Sequence, residues 1–359
     1  MTMNKRIRVL VIDDSLVFDR FLSQELPRNN SRIEVVGYSV NPYDALRKIP
    51  ELRPDVITLD VEMPRVNGID FLKELLPKYP LPVILVSSLN VSVFDALSNG
   101  AVDFVKKPDM SRNYTTQIFV QNLCSKIIIA YSAKVKLPAN TRSQAAPAAR
   151  PASGRLSDNG GVSFSMRARN TLIVLGASTG GTEATLQVLE KLPADTPGIV
   201  ITQHMPEGFT KMYADRLNRL CNMEVKEAGN GDLVQVGRVL IAPGGDRQMK
   251  IVRSGSGYAV RCYPADKVNG HRPSVDVLFH SAAETAKGNA VGIILTGMGQ
   301  DGAEGLLHMR QTGAYTIGQD KDSCVVYGMP MVAQKIGGVC IQSSCRDISA
   351  VLLKHLKSL

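Results

Sequence analysis

The chain has 359 residues, 44% of them hydrophobic, and a net charge of +9. Such a length predicts two or three domains with sizeable cores. No apolar run is long enough to span a bilayer, and the start, MTMNKRIRVLVIDD, has no apolar signal region. A cytoplasmic chain without membrane insertion is expected.

The positive charge invites a nucleic-acid reading, and its location argues against one. Residues 132–170 carry seven basic side chains and one acid, which accounts for six of the nine excess charges. The same segment contains SQAAPAARPASGR, the composition of a flexible linker. It nearly lacks the aromatics that stack on bases. The six cysteines (124, 221, 262, 324, 340 and 345) form no C-x-x-C pair, so reduced structural thiols are expected.

Ahead of the linker, short apolar runs alternate with helical patterns. Strands are predicted at 7–12, 33–38, 55–60, 82–87 and 102–105, and helices over FDRFLSQEL, YDALRKI, IDFLKELL and VFDALSNG. A last helix is predicted through NYTTQIFVQNLCSKIIIAYSAK. Five such units imply an open, five-stranded parallel sheet with helices on both faces, whose ligands bind beyond the carboxyl ends of the strands. Asp13 and Asp14 follow the first strand, Asp60 ends the third, Ser87 ends the fourth, and Lys107 follows the fifth. These positions converge on one edge. Three crowded acids repel unless a cation joins them, and hard carboxylate oxygens suit Mg²⁺. A hydroxyl and an ammonium beside them could hold the oxygens of a phosphoryl group.

After the linker, buried strands are predicted at 171–176, 198–203 and 290–297, with helices near 181–191, 208–221, 274–287 and 301–312. In 223–263 the turn signals AGNGD, APGGD and RSGSG separate short pieces, and hairpins inserted into an α/β domain are expected.

The first strand of this half runs into GASTGG (176–181), a literal G-x-S-x-G at a strand-to-helix turn. Such a turn exposes the Ser178 oxygen, and a helix N-terminus favours developing negative charge. Glycines here could equally serve close helix–strand packing. The spacing matches neither a dinucleotide fingerprint nor a P-loop. A serine nucleophile needs a base and an orienting acid. Among five histidines, His204 alone lies just past a strand on the same edge, and Asp301 has the matching address among the acids. His271, in a loop beside Arg272, competes for the role of base. The order Ser…His…Asp disfavours the α/β-hydrolase fold, whose order is Ser…Asp…His.

VIDD, LDVEMP, the serines after the fourth strand, and DFVKKP resemble the receiver domain of two-component response regulators, over about 5–125. The resemblance implies a flavodoxin-like fold in which Asp60 accepts phosphate from a phosphohistidine kinase. Asp13, Asp14, Asp60 and the carbonyl of Glu62 would hold Mg²⁺. Ser87 and Lys107 would bind phosphoryl oxygens, and Phe104 would be the switch aromatic. GASTGGTEA, QHMPEGFT, APGG, RPSVDVLF, ILTGMGQDGAEGL and YGMP resemble the catalytic domain of chemotaxis protein-glutamate methylesterases, the CheB family, over 168–358. Residues 126–167 would then be a helix end and linker.

That second resemblance implies a doubly wound catalytic domain with Ser178 as nucleophile, His204 as base and Asp301 as orienting acid. The Met298 N–H would face the oxyanion, and Thr179 and Gly180 would shape the pocket. It further implies phosphorylation-gated hydrolysis of receptor glutamate γ-methyl esters and deamidation of receptor glutamines, with no cofactor for the ester chemistry. Partners would be a chemotaxis histidine kinase and methyl-accepting chemoreceptors, with no nucleic acid, and the chain would be a monomer. Two rivals remain open at this point: a phosphorylation-gated DNA-binding regulator, which lacks a helix-turn-helix with a basic recognition helix, and a partner-binding module without hydrolase activity.

Overall fold

The computed structural model describes residues 5–63, 66–88, 92–109, 113–135 and 164–359. SQAAPAARPASGR lies outside the described residues. Among the described residues no helix is long and apolar enough to cross a membrane.

The first half runs β1 (Ile7–Ile12), α1 (Leu16–Asn29), β2 (Ile33–Ser39), α2 (Pro42–Leu52) and β3 (Val56–Asp60). A two-residue pair follows, β4 (Glu62–Met63) with β5 (Val66–Asn67), then α3 (Gly68–Lys78), β6 (Val83–Ser87), α4 (Ser92–Ser98), β7 (Asp103–Lys106) and α5 (Asn113–Tyr131). The main strands form one parallel sheet in the order β2-β1-β3-β6-β7. Their continuous apolar runs, such as VITLD and VILVS, are buried end to end, as helices on both faces demand. The strand order reverses between β1 and β3, and the crevice at that switch point lies at Asp13 and Asp60. The five expected strands and their parallel order are all present.

The second half begins with the short α6 (Met166–Arg169), β8 (Leu172–Ala177), α7 (Gly181–Leu189), β9 (Ile199–Gln203) and α8 (Phe209–Leu220). It continues with β10 (Glu224–Glu227), β11 (Leu233–Val234), β12 (Arg238–Ile241), β13 (Arg247–Ser254) and β14 (Gly257–Pro264). It ends with α9 (Val275–Ala286), β15 (Ala290–Ile294), α10 (Ala303–Gln311), β16 (Tyr315–Gln319), α11 (Met329–Lys335), β17 (Ile341–Ser343) and α12 (Ile348–Lys357). Seven parallel strands form the sheet β10-β12-β9-β8-β15-β16-β17.

The hairpin expected in 223–263 is only part of that region. β13 and β14 pair antiparallel over eight residues, with β11 on their edge. GRVLIA, by contrast, supplies β12, a parallel strand inside the main sheet, and β10 extends that sheet beyond it. Both strands are short and separated by turns, so local pattern cannot distinguish a meander from two sheet strands. Non-local pairing with β9 decides it.

The two halves pack directly on each other. Phe104 of β7 meets Phe209 of α8 with ring centroids 4.6 Å apart, and Phe94 of α4 stacks on Tyr213 of α8 at 5.6 Å. The Arg216 guanidinium donates to Ser98 Oγ across the same interface and pairs with Glu183 at 3.1 Å.

Candidate active site

In the second half, β8 and β9 are adjacent parallel strands with Ala177 paired to Gln203. The next residue of each, Ser178 and His204, therefore leaves the sheet side by side at its carboxyl edge. The backbone locks this arrangement. The His204 N–H donates to Ala177 O at 3.1 Å, and Gln203 Nε2 donates to Ser178 O at 2.9 Å. The chain order reverses between β8 and β15, so the loop after β15 brings Asp301 to the same crevice.

The Ser178 turn needs its glycines for two separate reasons. Gly176 lies against α9, and a Cβ there would come within 2.1 Å of Val275 Cγ1. Gly180 has φ +75°, and a Cβ there would lie 2.6 Å from Val325 Cβ. Gly176 thus serves the close packing expected of the GASTGG glycines, and Gly180 forms a left-handed corner. Gly180→Ala is expected to destabilise the chain by about 1–3 kcal/mol, the scale of local backbone strain. Thermal unfolding of the full chain measures this, and an unshifted melting curve would mean that the corner relaxes freely.

His204 Nε2 lies 2.7 Å from Asp301 Oδ2, with both side chains buried. An ionised carboxylate only accepts, so Nε2 carries the proton and Nδ1 has the free lone pair. His204 Nδ1 is buried with no hydrogen-bond partner among the described residues. Four further donors converge on Asp301. Oδ2 accepts from the Val275 N–H at 2.7 Å, and Oδ1 accepts from Ser274 Oγ at 2.7 Å, Asn269 Nδ2 at 3.0 Å and the Asp276 N–H at 3.2 Å. Val275 and Asp276 open α9, so Asp301 also caps a helix N-terminus. Burial by itself would raise the Asp301 carboxyl. The His204, Ser274 and Asn269 hydrogen bonds outweigh it and hold the group well below the usual carboxylate range.

His271, the rival base, instead lies flat on the His204 ring, with centroids 3.6 Å apart and planes 7° from parallel. Burial first, and the neighbouring His204 second, push its imidazole down to about 4, so it is neutral at pH 7. Sequence reasoning missed the Asn269 and Ser274 donors and this stacking. Only RPSVDVLF hinted that the start of α9 matters.

Ser178, His204, Met298 and Gly299 line a cleft of about 830 Å³. Its opposite wall comes from β7 and α5, through residues such as Phe104 and Lys126. Met298 is 42% exposed. Thr179 is buried, and its hydroxyl donates to Asp103 of β7 at 2.5 Å. Asp103 also accepts from Lys126 at 2.6 Å. The residue after the serine is therefore tied to the first half of the chain.

At the other site, Asp13, Asp14 and Asp60 each offer a carboxylate oxygen, all within 4.8 Å of one another. An all-oxygen, all-anionic set fits Mg²⁺. Lys107 Nζ lies 2.8 Å from Asp13 and 2.7 Å from Asp60. Burial raises the Asp60 carboxyl despite that ammonium. Asp60 Oδ1 accepts from the Glu62 N–H at 2.9 Å. Ser87 is fully buried, and its hydroxyl has no hydrogen-bond partner among the described residues. Phe104 is 4% exposed, turned into the interface described above. Asp19, which sequence reasoning passed over, is buried nearby, and burial together with Asp13 raises its carboxyl to about 7.

The family model for the CheB methylesterase matches residues 173–352, and the model for the response regulator receiver domain matches 9–118. The protein-glutamate methylesterase/protein-glutamine glutaminase 2 of Syntrophomonas wolfei is 50% identical over 355 residues, 99% of each chain. A protein-glutamate methylesterase/protein-glutamine glutaminase of Syntrophotalea carbinolica is 50% identical over 340 residues, 94% of each. The crystal structure of the Thermotoga maritima CheB methylesterase catalytic domain superposes with a TM-score of 0.51 at 36% identity, covering 52% of this chain and 98% of that one. A receiver sheet with an acidic crevice, a doubly wound sheet with serine, histidine and aspartate at its switch point, and relatives matching along nearly the whole length lead to one family: this chain belongs to the receiver-linked CheB protein-glutamate methylesterases/protein-glutamine glutaminases.

Proposed function

We propose that this chain hydrolyses glutamate γ-methyl esters on chemoreceptor helices, and deamidates receptor glutamines, through Ser178, His204 and Asp301. The observation that carries this reading is the His204 Nε2 to Asp301 Oδ2 contact at 2.7 Å, which leaves Nδ1 unpaired in the cleft that Ser178 lines.

Ser178 Oγ attacks the ester carbonyl while His204 Nδ1 takes its proton. The imidazolium so formed is stabilised by Asp301, whose charge is secured by its donors. Neutral His271, stacked on the ring, holds its plane without adding a repelling charge. The Met298 N–H at the start of the glycine turn is the donor proposed for the oxyanion, a kind of contact worth roughly 10²–10³ in rate. His204 then returns the proton to the departing methoxide, releasing methanol. Water, activated by the same nitrogen, cleaves the glutamyl ester and regenerates Ser178. With a glutamine substrate the leaving group is ammonia.

Regulation follows from the cleft's second wall. In the resting form β7 and α5 cover the approach to Ser178, pinned through Asp103–Thr179 and Phe104–Phe209. A histidine kinase phosphorylates Asp60. Bound Mg²⁺, held by Asp13, Asp14, Asp60 and the Glu62 carbonyl, supplies positive charge that shields the phosphoryl oxygens. Ser87, whose buried hydroxyl is unused, and Lys107 hold those oxygens. Drawing Ser87, at the end of β6, toward a phosphoryl group on Asp60 that Lys107 already contacts shifts the paired strand β7, which carries Asp103 and Phe104, and weakens the pinned form.

Methanol release from methylated receptor membranes tests this. A fragment from Phe164 onward is expected to exceed the unphosphorylated full chain by about 5–150-fold, the range of a 1–3 kcal/mol coupling. A small-molecule phosphodonor with Mg²⁺ is expected to raise the full chain toward that rate and leave the fragment unchanged. Equal rates for the fragment and the resting chain would remove occlusion by the receiver half.

A further inference from the structure

One wall of the cleft carries a cation that is held in place and yet has no anion. The loop from β14 to α9 borders the triad at three points. Asn269 and Ser274 donate to Asp301, and the His271 ring lies on that of His204. Arg272 belongs to the same loop and lines the cleft with Ser178. Its Nε donates to Gly245 O at 2.9 Å and its Nη1 to Ala265 O at 2.8 Å. Both acceptors are neutral carbonyls, so they orient the guanidinium without compensating its charge. A guanidinium has five N–H groups, and those on Nη2 meet no acceptor among the described residues. Nη2 is open to solvent rather than buried. Two other charged residues of the second half line the cleft, Lys267 and Glu207, both exposed. Glu207 makes no ion pair with Arg272 or Lys267 among the described residues.

We propose that Arg272, with Lys267 outside it, is a specificity-determining residue that binds a free carboxylate of the substrate beside the ester being cut. The proposal rests on the esterase reading above. The group that reacts is a neutral ester or amide, which has no charge for a guanidinium to match. An acid three or four residues away on a helical substrate lies on the same face as the ester. A glutamate already hydrolysed supplies such a carboxylate. The planar fork of a guanidinium meets a carboxylate with two parallel hydrogen bonds. Because Gly245 and Ala265 already fix the fork, little side-chain freedom is lost on binding. A cation that served the oxyanion would act on kcat. One that holds a distant carboxylate equally in ground and transition states acts on KM alone.

The test uses the full chain with a small-molecule phosphodonor and Mg²⁺, and receptor membranes with a single methylated glutamate. In one receptor the acids within two turns of the ester are kept, and in the other they are alanine. On the acidic receptor, Arg272→Gln is expected to raise KM by about 10–100-fold and to change kcat by less than about twofold, as for a lost hydrogen bond to a charged group. On the alanine receptor the unaltered chain is expected to show that raised KM already, and Arg272→Gln to add less than about twofold. Lys267→Gln, which removes an exposed side chain and guards against a loop that misfolds, is expected to raise KM by about 2–5-fold on the acidic receptor alone. Fluorophosphonate labelling of Ser178 is expected to keep its rate in both variants. Unchanged KM in both variants, or a KM rise of equal size on both receptors, would overturn the proposal. So would a fall in kcat and labelling in Arg272→Gln, which would make Arg272 a brace for the loop. An unaltered chain that takes the fluorophosphonate but releases no methanol would instead sink the esterase reading, and this proposal with it.

Discussion

Ser178→Ala is expected to lower the methanol-release rate by about 10⁶-fold, the size of loss when a triad nucleophile is removed. The change deletes one oxygen and leaves the turn intact. Gly176, Gly180 and the backbone bonds from Ser178 N to Thr296 O and from Gly181 N to Ser178 O do not depend on the hydroxyl. The melting temperature should therefore hold while activity vanishes, and a fluorophosphonate probe that labels the unaltered chain should fail to label the variant. Residual turnover should come only from general binding and the oxyanion donors. Near-normal methanol release by Ser178→Ala, measured on the same receptor membranes, would remove the serine mechanism altogether.

The second large effect is expected at the acid. Asp301→Asn should reduce turnover by about 10⁴-fold. Five donors converge on the two carboxylate oxygens: the ring of His204, the hydroxyl of Ser274, the amide of Asn269, and the N–H groups of Val275 and Asp276. An amide offers one acceptor and one donor group. In either orientation its NH₂ faces at least two donors, and the negative charge that stabilises imidazolium is lost. If the NH₂ faces His204, the ring must present a lone pair on Nε2, so its proton moves to Nδ1 and the base toward Ser178 disappears. The wrong tautomer, rather than unfolding, is the expected cause. The variant should keep the native circular dichroism and lose kcat far more than KM. A variant with ordinary kcat would show that the acid serves only to cap α9.

These effects depend on features of unequal legibility in the sequence. GASTGG, QHMP and GQDG each place a reactive side chain directly after or shortly beyond an apolar strand-like run. In a parallel sheet that address alone brings all three to one edge, because every strand points the same way. The acids of VIDD and LDVEMP were legible for the same reason. The support around them was not. Asn269 and Ser274 sit in a loop with no periodicity, and their role exists only because that loop and the start of α9 fold back onto Asp301. His271 reads in sequence as a competing base and serves in the structure as a flat neutral neighbour, since its role depends on a 3.6 Å stack between residues 67 positions apart. Thr179 reads as a pocket residue and bonds across the domain interface to Asp103.

The amino-acid order by itself determined the two α/β halves, the parallel sheets and the strand-end placement of the reactive residues. Hydrophobic runs and turn signals are local, and parallel crossovers leave few alternatives. Tertiary structure decided which short segments of 223–263 join the main sheet, which nitrogen of His204 is left without a hydrogen-bond partner among the described residues, and that the receiver half forms a wall of the cleft that Ser178 lines. Each of these is set by contacts between residues distant along the chain, whose energies depend on register and burial that no local window contains.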